Sequence, residues 1–228
     1  MASRKEQKER LRRERERRRR VVGYATGGGL ALAAIVAVVV VLVAGGGSGK
    51  GKDDPGDVFP GGGQVPAANV SDVGAAAKAA GCQLKSFKAT SREHVTDINA
   101  KIHYSSNPPT SGRHYEQPAN DGIYSVSPPV IQLVHNLEHG RIVIWAKPTL
   151  PRSARAALKS FVDEDSYQMV LVPKADMPYQ VAASAWGADP VPEGTGYLLG
   201  CPSYTPKIFD ALRDFREKHR GRGPEPVP

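Results

Sequence analysis

The chain has 228 residues, with 31 Lys and Arg against 23 Asp and Glu, 24 Gly, 19 Pro, two Cys and 7% aromatic residues. That is one ordinary domain with appendages, and it excludes a collagen, a disulfide-dense mini-protein and a polytopic transporter. The formal charge of +8 is unevenly spread: residues 1–20 hold 11 Lys and Arg and only 4 Asp and Glu, so the remainder is close to neutral.

A basic run invites a nucleic-acid partner, because Lys and Arg neutralise phosphates and release counterions. The neighbouring apolar stretch makes nucleic acid the weaker reading. No charged residue occurs from Val21 to Gly49, and Val21–Ala44 supplies 24 residues, enough to cross a hydrocarbon layer of ~30 Å as a helix. The Arg17–Arg20 cluster stays on the cytoplasmic side by the positive-inside rule, so the C-terminal portion is exported. Leu42-Val43-Ala44-Gly45 is a poor cleavage site, which favours a retained anchor over a cleaved signal peptide. The expected topology is a single-pass plasma-membrane protein with a cytoplasmic N-terminus and an extracytoplasmic domain. Its partners are membrane lipid along residues 1–44 and an envelope component of unknown identity for the domain.

Residues 45–67 come next; nine of the 22 residues 45–66 are Gly, a composition that buries too little apolar surface to order itself and reads as a flexible tether. The expected globular domain is 68–220, and residues 221–228 read as a disordered tail. Ser71 is the expected cap of an Ala-rich helix that Gly81 ends, and Gln83–Lys88 reads as a strand. Residues 89–127 are turn-rich. Ser127-Pro128-Pro129 opens a helix that Gly140 closes, and the apolar run within Arg141–Lys147 is of strand length. Ser153 is the expected cap of a helix with Ala154, Ala157, Leu158 and Phe161 on one stripe. Gln168–Pro173 and Val181–Trp186 are further strands, and Thr205-Pro206 opens a last helix with Ile208, Ala211, Leu212 and Phe215 on its apolar face. The interleaving predicts an α+β or mixed α/β fold, a single domain with a mixed sheet and about four helices, preceded by one transmembrane helix.

Cys82 and Cys201 are the only cysteines. In an exported segment a bridge is the default for such a pair, and neither belongs to a Cys-x-x-Cys of redox or zinc-ribbon type.

Candidate chemistry lies in His135-Asn136-Leu137-Glu138-His139. On a helix, residues at i, i+3 and i+4 share a face, so two imidazoles and a carboxylate converge. Two such histidines can grip one ion while the Glu polarises a bound water, the order found in inverzincins. Zinc, however, requires at least three protein ligands, and no later helix supplies the third. An upstream loop, Asn107-Pro108-Pro109-Thr110-Ser111-Gly112-Arg113-His114, is rigid enough to bring His114 to that pair, with His103 a further nitrogen nearby. The same loop, through Ser111 and Arg113 with its backbone N–H groups, is alternatively an anion cradle. His94 reads as a surface residue.

Pro108-Pro109-Thr110-Ser111-Gly112-Arg113-His114, then His135-Asn136-Leu137-Glu138-His139-Gly140 running into an apolar strand, then Ala185-Trp186-Gly187, resemble the bacterial family numbered 3105 among domains of unknown function. The resemblance spans roughly residues 80–215. It implies a membrane-anchored bacterial protein with an exported domain, and it places His114, His135, Glu138 and His139 in the family signature; it implies no activity.

Three functions are open to these residues. One is an exported metal-binding domain with His114, His135, His139 and Glu138 as the ligand set for zinc or copper. A second is a zinc hydrolase in which Glu138 is the catalytic base. The third is a non-catalytic interaction domain in which the histidines pin a polar network.

Overall fold

The computed structural model describes residues 57–225 and 227. The basic tail 1–20, the expected membrane span 21–44 and the tether up to residue 56 lie outside the described residues. Among the described residues no helix is long and apolar enough to cross a membrane.

Asp72 starts helix α1 (Val73–Ala80) by accepting a hydrogen bond from the Ala75 amide at 2.8 Å, and Gly81 ends it at φ 69°. The cap is thus Asp72, one residue beyond the expected Ser71. Strand β1 (Gln83–Lys88) lies where the pattern places it. The turn-rich stretch contributes three strands of two residues each, β2 (His94–Val95), β3 (His114–Tyr115) and β4 (Gly122–Ile123). Helix α2 (Val130–Glu138) starts directly after the two prolines without a side-chain cap, since the Ser127 hydroxyl donates to the Pro128 carbonyl instead. Then come β5 (Ile142–Ala146), α3 (Arg152–Glu164), β6 (Met169–Pro173), β7 (Val181–Gly187), β8 (Thr195–Cys201) and α4 (Ile208–His219). In α3 the cap position is Pro151 rather than Ser153, which lies inside the helix. Strand β8 escapes sequence reading because two of its residues are glycines, each kept small by a neighbour: Thr110 fills the space beside Gly196 and the Tyr179 ring that beside Gly200.

Six strands form one mixed sheet in the order β1-β8-β7-β5-β6-β4, with β4, β5 and β6 parallel and the other pairings antiparallel. Chain travel from β4 through α2 to β5 runs across β6 in one direction, and from β5 through α3 back to β6 in the other. Right-handed crossovers in opposite directions put their helices on opposite faces. Accordingly Ile142, Ile144, Met169, Leu171, Val181, Ala183 and Leu199 pack with α1, α3 and α4, whereas Val143, Trp145, Val170, Val172, Ala182, Trp186 and Leu198 pack with α2. A strand covered on both faces has no polar side, which is why β5 reads as a continuous apolar run. For the globular domain the expected fold class is therefore the observed one, with four helices among the described residues; the expected transmembrane helix lies outside them.

Two boundaries move. Within the expected tether, Phe59 is 1% exposed and belongs to the core, Arg155 donates to the Val58 carbonyl, and the Ser160 hydroxyl donates to the Gly63 carbonyl at 3.0 Å. One aromatic anchor and a glycine that lets the chain lie on the α3 backbone order residues 57–67 despite their composition. The expected disordered tail is also packed: the Gly221 amide donates to the Gly140 carbonyl at 2.8 Å and the Glu225 amide to the Glu138 carbonyl at 3.1 Å. The Arg222 carbonyl accepts from the Ala188 amide at 3.0 Å, and the Val227 carbonyl accepts from Arg141 at 2.7 Å. These residues satisfy carbonyls at the end of α2 that the helix itself leaves without partners.

Cys82 and Cys201 form a disulfide across 119 residues. Gln83 pairs with Gly200 in the β1–β8 ladder, so the bridge continues that register by one step and fastens the edge strand to its neighbour.

Candidate metal centre

The last turn of α2 carries His135, Glu138 and His139, and the parallel β2–β3 pair lies against it. In that pair His94 stands opposite His114, so their side chains emerge side by side toward the helix. The Asn136 side chain fixes the adjoining loop, accepting from the Ala119 amide at 3.0 Å and donating to the Ala119 carbonyl at 2.8 Å. The rings of His94, His114 and His135 form a near-regular triangle with centroid spacings of 4.6, 4.7 and 4.8 Å. Together with Glu138, each offers a donor atom within 4.8 Å of the others.

The backbone sets the tautomers. His114 Nδ1 is 2.8 Å from the Gly112 carbonyl and His135 Nδ1 is 2.7 Å from the Tyr115 carbonyl. A carbonyl only accepts, so both Nδ1 atoms donate, and each ring points Nε2 into the site, where it offers a lone pair whenever that nitrogen is unprotonated. This outer hydrogen bond is the usual companion of a metal-ligating histidine. His114 Nε2 and Glu138 Oε2 are 2.9 Å apart and buried, yet neither has a hydrogen-bond partner of acceptable geometry. His94 Nε2 lies 3.5 Å from the same oxygen. Donors on a tetrahedral ion with ~2.0 Å bonds are ~3.3 Å apart, a value these two spacings straddle.

The other carboxylate oxygen of Glu138 accepts from Arg92 Nε at 2.7 Å, and Arg92 also reaches Glu225 at 3.5 Å. Burial alone would raise the Glu138 carboxyl, but the His114 ring and the Arg92 guanidinium outweigh it and hold the pKa down at about 2. Glu138 therefore stays ionised across physiological pH. Burial pushes His135 down to about 4, against the opposing effect of its bond to the Tyr115 carbonyl, so this ring is neutral and available as a donor. Burial and the nearby Arg141 likewise lower His139. Trp186, fully buried, meets His114 edge-on with 5.9 Å between centroids.

Of the residues expected at a site, His114, His135 and Glu138 converge. His139 is not among the four donors that lie within 4.8 Å of one another; its Nε2 lies 3.0 Å from His135 Nε2, so it flanks the cluster. His103 is exposed and outside the cluster, and His94, expected at the surface alone, takes its place. Of the residues of the expected anion cradle, Ser111 is buried against β8 and Arg113 pairs at the surface with Glu93 at 3.0 Å. Arg92 and His94 carry no motif; three histidines at 94, 103 and 114 in one turn-rich stretch are the only hint, and chain pairing selects among them.

No curated protein and no solved structure matches the chain. A family profile, described as a protein of unknown function (DUF3105), matches residues 94–227. That span starts at the first histidine of the cluster and ends in the segment packed on α2, and it covers more than half of the chain: the protein belongs to the DUF3105 family.

Proposed function

We propose that the domain binds one transition-metal ion through His94, His114, His135 and Glu138. One observation carries this reading: two buried donors, His114 Nε2 and Glu138 Oε2, face each other without a hydrogen bond, among imidazoles whose outer nitrogens are tied to carbonyls. Buried polar atoms left without partners are costly, and an ion between them removes that cost. Three imidazoles and a carboxylate suit zinc or copper. Glu138 acts here as ligand rather than as the base of a hydrolase, since Arg92 holds one oxygen and His94 and His114 face the other.

We further propose that the domain works outside the cytoplasm on a single-pass anchor in the plasma membrane. The charge-free stretch Val21–Gly49 behind a basic tail supports that placement, and the Cys82–Cys201 bridge suits an oxidising compartment.

The test is elemental analysis of the full chain, extracted in detergent without chelators, beside a His114→Ala/His135→Ala variant whose folding is checked by circular dichroism. About one equivalent of zinc or copper in the parent, absent from the folded variant, is the expected result. With copper(II), titration also quenches tryptophan fluorescence, because Trp186 abuts His114. A parent that stays empty after dialysis against either metal overturns the proposal.

A further inference from the structure

The four donors are not equivalent. His114 and Glu138 are fully buried and His135 nearly so, whereas the His94 side chain is 42% exposed. The rings of His114 and His135 are each locked by an Nδ1 hydrogen bond to a backbone carbonyl, and Glu138 is locked by Arg92. No such bond holds His94 among the described residues, and its strand, β2, is two residues long with β3 as its partner. An exposed side chain without an orienting bond changes rotamer within nanoseconds, while a packed and hydrogen-bonded one does not.

Resting on the metal-binding reading above, we propose that His94 is the exchangeable ligand of the centre. Its departure opens the ion to one incoming donor, a neutral imidazole, so that the site accepts and hands over metal by ligand exchange at this position. The class of donor is set by charge. Glu138 and Arg92 already fix the balance around the ion, and an imidazole replaces His94 without altering it. The three locked donors hold the ion during the exchange, and nothing needs to unfold for it to leave.

The experiment loads the full chain with cobalt(II), whose visible spectrum reports coordination, and monitors release to a chelator. His94→Ala is expected to retain about one equivalent of cobalt with an altered spectrum, to release it at least tenfold faster than the parent, and to regain the parent spectrum with millimolar free imidazole. His114→Ala is expected to bind no cobalt and to gain nothing from imidazole. Release from the parent is accelerated by free histidine or by a histidine-containing peptide, and the two arms tell a small-molecule donor from a protein one; acceleration by neither overturns the proposal. So does a His94→Ala variant that is as empty as His114→Ala and unresponsive to imidazole, or one that releases cobalt at the parent's rate. A parent that binds no metal overturns the metal-binding reading itself, which is a distinct outcome.

Discussion

Gly196 in β8 lies directly against Thr110: a Cβ on the glycine would overlap both Oγ1 and Cβ of the threonine. Thr110 is fully buried, and the loop it belongs to delivers the Gly112 carbonyl that fixes His114 Nδ1. Gly196→Ala therefore lifts this loop off the sheet and displaces a proposed ligand from a strand that is not part of the site. The expected outcome is a loss of about 1–3 kcal/mol in stability, the usual cost of overpacking, with weaker zinc binding. Urea denaturation and a zinc titration of the same preparation check both, and a variant equal to the parent in both would show that the loop has slack.

Arg92 holds Glu138, the carboxylate among the four proposed ligands, and is not itself one of them. Arg92→Ala is expected to keep the metal stoichiometry and to weaken affinity by about 10- to 100-fold, the range typical of partners that orient a ligand. Competition against a chelator of known affinity measures it. Loss of stoichiometry would mean that Arg92 is needed to build the site and not merely to orient Glu138.

The parts of this molecule that announce themselves in sequence are those governed by local rules. Helix α2 is bracketed by Pro128-Pro129 and Gly140, β5 by its unbroken apolar run, and α3 and α4 by their stripes. His135 and Glu138 are legible for the same reason, since helical spacing places them on one face. His94 is not, because its role depends on a two-residue pairing with a segment 20 residues away that leaves no periodic trace. Phe59 and Gly223 escape for the opposite reason: composition predicts disorder, but one aromatic side chain and one close glycine approach to the Glu138 carbonyl suffice to seat these segments.

His219 gives a pH dependence separate from the proposed metal centre. Burial between Tyr197 and Phe215, helped by Lys218 and Arg222, lowers it from 6.5 to about 4. The folded state prefers the neutral ring, so this contribution to stability is fully present above pH 6.5 and is lost as pH falls from there toward 4. Between pH 7 and pH 5 the loss amounts to about 2 kcal/mol. His219→Gln is expected to show a correspondingly smaller drop over that interval in denaturant melts run with chelator. An identical drop in parent and variant would assign the pH dependence to other groups.

Replacing both cysteines by alanine is expected to cost about 2–4 kcal/mol, read as a lower denaturant midpoint. Metal stoichiometry should persist, because none of the four proposed ligands touches the bridge. Loss of metal in a variant that is still folded would show that the bridge tensions the site through the sheet.

The same bridge governs how copies of the chain can meet. Strand β1 is the outermost strand on its side of the sheet, most of its residues are exposed, and its outer edge has no strand beside it among the described residues. An edge strand of this kind is the element most readily traded between identical chains, each lending it to the other's sheet. With Cys82 bonded to Cys201 of its own β8, the oxidised chain cannot lend β1 at all. Strand exchange is open only to reduced molecules, so the moment of oxidation decides whether this domain stays single or becomes entangled with a second copy.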